Sequence, residues 1–408
     1  MKLVQFGAGK IGRAFIGQIF SRAGWGVVFV DVDRRIIEAL NRKRGYTVVV
    51  KDRVEETLEV TGVRGVYASD IVQVSDELAG ADLIATAVGK QALPLLAKPI
   101  SRGLLKRQKT RPGEPLDIIL CENMQNAADF FRDTLKSTLE KEPGGGGIDI
   151  NVQVGFVETS IGKMVPIMGK RDRGKDPLLV YAEAYNTLIV DRFGFRGPVP
   201  DIPQLDPKDN MKAYVDRKLY IHNLGHAVLG YVAHVFRPDY RFVWEAAFDE
   251  VIVRVTSEAM WESGRALIME YPGEFNEKNI GEYIEDLLHR FGNRLLGDTI
   301  FRVGRDLYRK LGPEDRLAGA INLCRKHGLI PERICLGLAS ALFFRGVDEQ
   351  GHMHKMDREF HEKEMKRGVR HVLENVCRLR EVKVISLIEG YCHMITGGKK
   401  SLDSLLRL

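Results

Sequence analysis

Apolar residues from Leu3 to Phe6 form a run of strand length, after which Ile11, Phe15, Ile16, Ile19 and Phe20 recur at helical spacing until Gly24 supplies a C-cap. Val27 to Val30 reads as a second strand, so the chain begins with a β-α-β unit. The handedness of such crossovers implies parallel strands with the helix on one face of the sheet. Leu83 to Val88, Leu116 to Cys121 and Val152 to Val157 repeat the strand pattern, separated by helix-compatible stretches such as Asn126 to Leu139. Four consecutive glycines, Gly144 to Gly147, read as a flexible surface loop without chemistry.

Prolines at 198, 200, 203 and 207 forbid a helix there and mark a connector over about residues 197–210. From about Met211 the periodicity is helical, with Arg, Lys and Glu on outer faces. The expected architecture is therefore α/β: an N-terminal doubly wound, mostly parallel sheet over 1–205 and a mainly α-helical domain over 211–408. A chain of 408 residues is long enough for two such cores.

Composition narrows the class. With 44% hydrophobic and 28% charged residues, the chain reads as an ordinary soluble protein. Its 61 basic residues are balanced against 55 acidic ones, for a net charge of +6, so neither nucleic acid nor a membrane surface is implied as partner. The five cysteines are odd in number and widely spaced, with no C-x-x-C pair, and the N-terminus runs straight into a strand without a leader. A reducing, cytoplasmic setting is expected, for a monomer or small homo-oligomer.

Gly7-Ala8-Gly9-Lys10-Ile11-Gly12 is a G-x-G-x-x-G run between the first strand and the first helix, with Asp31 ending the second strand. In that context the glycines serve a tight turn, close approach of backbone to a pyrophosphate, and close helix–strand contact, the mark of a Rossmann-type dinucleotide site. Asp31 suits the two ribose hydroxyls and repels a 2′-phosphate, which favours NAD over NADP. Arg34 and Arg35 stand near enough in sequence to keep the phosphorylated cofactor open, and Arg13 is either solvated or set on the phosphates. Thr86 and Val88, ending the Leu83 strand, are placed to touch ribose or nicotinamide.

Around Tyr214 to Val228 the polar residues Lys218, Asn223 and His226 interrupt an apolar helix. At about 100° per residue, Asn223 lies about 140° and His226 about 80° round from Lys218, so all three fit within one arc. Gly225 leaves room for a ligand there. Oxidising a secondary alcohol needs a proton acceptor and donors to the charged oxygen. A desolvated Lys218 can be the first; Asn223, and Asn123 at the end of the Leu116 strand, can be the second; His226 can orient a neighbouring hydroxyl. A snorkelling lysine, a helix asparagine and a core histidine are each common structural residues, and spacing alone does not separate the readings.

The chain resembles the polyol-specific long-chain dehydrogenases over nearly its whole length. The likeness rests on Phe6 to Arg13 with Phe15-Ile16-Gly17, on Thr86 to Gly89, on Cys121-Glu122-Asn123-Met124, on Lys218 to Ala227, and on Asp298-Thr299 followed by Arg302-Val303-Gly304-Arg305. It implies metal-independent hydride transfer with NAD, Lys218 as acid/base, and Asn123 and Asn223 polarising the reacting oxygen. It also implies interconversion of D-mannitol 1-phosphate and D-fructose 6-phosphate, with Arg302, Arg305 and Lys310 as cations for the phosphate.

Two departures concern the substrate. The family shows Asp-Arg before Met164-Val165-Pro166, where this chain has Gly162-Lys163, and Leu188 replaces an aromatic. An unphosphorylated hexitol or a hexuronate is the alternative substrate, and a non-catalytic NAD sensor the alternative class. His352, His354 and His361 lie close in sequence, but their spacing suits no helical metal site, so no metal is expected.

Overall fold

The computed structural model describes residues 1–52, 54–165, 176–397 and 402, which fall into two compact units, Met1–Val215 and Asp216–Leu408. Among the described residues of the first unit, eleven strands build two sheets. They are β1 Lys2–Phe6, β2 Gly26–Asp31, β3 Gly45–Val50, β4 Glu56–Thr61, β5 Val63–Tyr67, β6 Leu83–Thr86, β7 Leu116–Leu120, β8 Val154–Ser160, β9 Val180–Ala182, β10 Leu188–Asp191 and β11 Leu205–Lys208. The large sheet runs β11-β10-β8-β7-β6-β1-β2-β5 and is parallel except where β10 meets β8. The small one, β4-β3-β9, is a hairpin extended by one short parallel strand.

The β1, β2, β6, β7 and β8 segments are the apolar runs of the sequence, and their Val, Ile and Leu side chains feed two separate cores on the two faces of the sheet. Fully buried Phe15, Phe20 and Phe29 dominate one face, and Phe131 the other. Each is worth about 1.5–3 kcal/mol of burial. The proline-rich stretch is not a free connector: it belongs to the first unit, and Leu205–Lys208 pairs in parallel with β10 as an edge strand, where Pro207 is tolerated. The four glycines do lie at the surface, with Gly144, Gly146 and Gly147 exposed, but Gly145–Gly147 form a short 3-10 turn. Gly145 is buried, and a Cβ there would overlap the Leu139 carbonyl at the end of helix Ala127–Leu139, so only glycine fits.

The second unit is helical. Its centre is Leu224–Phe236, buried along nearly its whole length, against which Glu250–Glu270, Ile300–Gly304 and Glu332–Leu342 pack. Gly225 owes its identity to this packing: a Cβ there would lie 2.5 Å from Met260 Sδ, so the space expected for a ligand is filled by methionine. Glu262 caps the N-terminus of Glu332–Leu342 by accepting from the Arg333 and Ile334 amides, and burial pushes its carboxyl up to about 7.

Candidate active site

The three glycines of the loop divide their tasks as their positions require. Gly7 has φ +90 and lies against the Ala87 carbonyl, and a Cβ on Gly12 would overlap the Gly7 carbonyl where the helix begins. Gly9 is different: no atom lies within 4 Å of its Cβ position. Gly9 and Lys10 are exposed, Ile11 is half-buried and Ala8 is buried. The loop therefore offers bare backbone outward at one point, the shape that a pyrophosphate needs.

Asp31 braces this loop. Its Oδ2 accepts from the Ala8 amide at 2.6 Å and its Oδ1 from the Asp33 amide at 2.8 Å, which leaves each oxygen a lone pair for a ribose hydroxyl. Arg34 lies over the Tyr67 ring at 5.4 Å, and Arg35 stays 3.7 Å from Asp33. Arg13 is not solvated. It is buried, with Nε on the Ala8 carbonyl and Nη1 on the Pro177 carbonyl. From Gly12 to Gly17 the helix widens to i→i+5 bonding, and the Tyr46 hydroxyl donates to the Arg13 carbonyl there.

At the carboxyl ends of the neighbouring strands, Thr86 is fully buried as the last paired residue of β6. Val88 is half-buried in the loop beyond. Glu122 accepts from the Val88 and Gly89 amides, and the adjacent Asn123 is exposed at the end of β7.

In the second unit, Lys218 to Asn223 is not α-helical but a π-turn, followed directly by Leu224–Phe236. Residues five apart stack in i→i+5 bonding, so Lys218 and Asn223 share a face far more closely than an α-helix would allow. Lys218 is half-buried. Burial first, then the nearby charges of Arg316 and Arg309, outweigh Asp315 and bring its ammonium down to about 8. His222, within the same turn, is buried with Nδ1 unpartnered, and burial with the Arg290 charge holds it well below the usual imidazole range.

His226 stacks on Phe291 at 4.8 Å and places Nε2 3.4 Å from Asp298 Oδ2. Asp298 is buried and gripped from its other side by Arg302, Nε at 2.5 Å and Nη2 at 2.6 Å. Burial alone would raise the Asp298 carboxyl, but hydrogen bonds from His226 and Arg302 prevail and hold it far below the usual carboxylate range. Of the expected phosphate cations, only Arg305 is exposed without a carboxylate partner among the described residues, its guanidinium lying 5.7 Å over Phe301. Arg302 has two of its donors committed to Asp298. Lys310 is buried and donates to the Val303 carbonyl, so its ammonium faces inward; burial and Arg316 lower it to about 7.

Lys163, at the first departure from the family pattern, is buried and donates to the Tyr185 carbonyl and Asn186 Oδ1, while Leu188 is a core residue of β10. Met164 gives its amide to buried Glu183; Pro166 lies outside the described residues. The three histidines go to separate partners, His352 near Asp348, His354 near Asp357 and His361 on the Phe344 carbonyl.

Asp298, Arg316, His222 and Glu122 were not assigned roles from sequence. One signal was present: Asp298 precedes Arg302 by four residues, the spacing of a helical ion pair.

Residues 1–204 match the mannitol dehydrogenase Rossmann domain, and residues 210–386 match the mannitol dehydrogenase C-terminal domain. The chain belongs to the mannitol dehydrogenase family. This places it among the polyol oxidoreductases. Two solved structures have a similar fold. Mannitol 2-dehydrogenase of Pseudomonas fluorescens, in a ternary complex with NAD and D-mannitol, is 17% identical with a TM-score of 0.74, over 100% of this chain and 94% of that one. A D-sorbitol dehydrogenase in substrate-free form is 16% identical with a TM-score of 0.81, over 98% and 93%. Among the described residues, no helix of this mannitol dehydrogenase family member is long and apolar enough to cross a membrane.

Proposed function

We propose that the chain is an NAD-dependent, metal-independent polyol dehydrogenase with Lys218 as its general acid/base, and that its substrate pair is D-mannitol 1-phosphate and D-fructose 6-phosphate. This is the activity of a mannitol-1-phosphate 5-dehydrogenase. The observation that supports it most is the Lys218 ammonium at about 8, in a π-turn that shares its face with Asn223. A base for alcohol oxidation works best when its pKa lies near the operating pH.

NAD, when bound, accepts the hydride from the carbinol carbon. The residues that fit it are the open backbone at Gly9, the turn at Gly7 and Gly12, and Asp31 for the ribose hydroxyls. Arg34 on Tyr67 and Arg35 beside Asp33 both have other neighbours, which supports NAD over NADP. In oxidation, neutral Lys218 takes the hydroxyl proton; in reduction, its ammonium returns one. Asn223 is assigned an amide hydrogen for the reacting oxygen, and the family resemblance implies the same role for Asn123. His226 is assigned a further hydroxyl, its ring held with Nε2 3.4 Å from Asp298 Oδ2. Arg305 is the remaining candidate for the phosphate, joined by the Nη1 edge of Arg302.

Unphosphorylated hexitol is the second reading, favoured by the inward-facing Lys310 and by Arg302 being tied to Asp298. The deciding experiment offers the purified protein NADH with fructose 6-phosphate, fructose and tagaturonate in parallel. A kcat/KM for fructose 6-phosphate at least about 100-fold above that for fructose is expected, on the scale of a charge-assisted pair of hydrogen bonds. Preference for fructose would end the phosphate assignment, and Lys218→Ala with undiminished NADH oxidation would end the assignment of the base.

A further inference from the structure

Strand β6 loses its ladder partners at Thr86, and the chain then turns through Ala87 and Val88 to Gly89, which has φ +88. The backbone donors of this loop are all accounted for. Ala87 donates to the Phe6 carbonyl at 2.9 Å. The next two amides point together, forming the kind of concavity that commonly captures an anion. Glu122 fills it from the end of β7: the Val88 amide donates to Oε1 at 3.0 Å and the Gly89 amide to Oε2 at 2.8 Å. Its side chain is buried, at 5% exposure.

A buried carboxylate held by amides alone is an expensive way to satisfy two donors. Its position suggests why it is there. The Ala87 carbonyl lies against Gly7, the first glycine of the dinucleotide loop, and Glu122 itself precedes Asn123. One side chain thus ties the loop that supports Gly7 to the strand end that carries the Asn123 amide. We propose that Glu122 is a positioning residue: by clamping the Val88 and Gly89 amides it sets the geometry of the cofactor loop and of Asn123 together. The proposal rests on the dehydrogenase reading given above.

Two measurements test it. Amide hydrogen exchange on the wild-type protein without NADH is expected to show Val88 and Gly89 protected; free exchange at both would overturn the clamp, whatever the enzyme's activity. In Glu122→Gln, one acceptor becomes an amide group that opposes an N–H, while Glu122→Asp keeps both acceptors at shorter reach. Measured well below their Tm, Glu122→Gln is expected to bind NADH about tenfold more weakly and to lose about tenfold in kcat, with Glu122→Asp between it and wild type. Folded variants with wild-type kcat and NADH Kd, and only a lower Tm, would reduce Glu122 to a structural residue. A wild type that neither binds NADH nor turns over any polyol would instead sink the dehydrogenase reading, and the exchange data would still decide the clamp.

Discussion

Proton uptake by Lys218 should govern the pH dependence of the reaction, and the neighbouring charges should move it in opposite directions. The ammonium lies at about 8, against 10.5 for an unperturbed lysine. At pH 7 about 9% of Lys218 is then neutral, where an ordinary lysine would be about 0.03% neutral, a gain of roughly 300-fold in competent base. For polyol oxidation, kcat/KM should rise about tenfold per pH unit up to about 8 and level off above it. Ketose reduction needs the ammonium, so its rate should fall above the same point. Arg316→Leu removes the larger of the two repelling charges and leaves Asp315 unneutralised, so the inflection should move up. Asp315→Asn removes the attraction and should move it down. Steady-state kinetics in both directions from pH 6 to 10 would check this. An oxidation profile without an inflection between 7 and 9, or one that neither charge replacement moves, would refute the assignment of the base.

Other outcomes can be checked more simply. Gly9→Ala should fold with a near-native Tm, since its Cβ meets open space, yet raise the NADH Kd by about tenfold or more, whereas Gly12→Ala should lose stability by about 1–3 kcal/mol or more from overpacking against the Gly7 carbonyl. Thermal melts and NADH titration separate the two. Asp298→Asn should weaken the hold of both His226 and Arg302 and raise the polyol KM about tenfold or more with little change in NADH affinity, an outcome that equal losses for both ligands would contradict.

The mostly parallel strands β1, β2, β6, β7 and β8 and the helical second unit were legible because continuous apolar runs and 3.6-residue periodicity are properties of local sequence. Strands β3 to β5 and β9 to β11 were not, because Thr57 and Glu59 on β4, or Pro207 on β11, become strand residues only through pairing with partners distant in the chain. The glycine loop was legible in detail, each position meeting the constraint its place in the turn imposes. Asp31 was read as a ligand for ribose and is also a brace for Ala8, a second duty that no spacing rule displays. The cations were the hardest to read. Arg302, Arg305 and Lys310 look alike as a basic run, but one is paired, one exposed and one buried, and only tertiary packing distinguishes them. Gly225 was misread for the same reason, Met260 occupying the space that sequence left vacant.

The wide turn at Lys218–Asn223 makes residue count, as much as residue identity, the quantity under constraint. Deleting any one residue there would return the segment to an ordinary helix and swing the lysine by about 100° relative to the helix that follows, with every polar side chain still present in the chain. Length variation that a surface loop would absorb without effect would here turn the base off the face it shares with Asn223, so relatives sharing this chemistry should match in spacing across the segment even where its apolar residues differ.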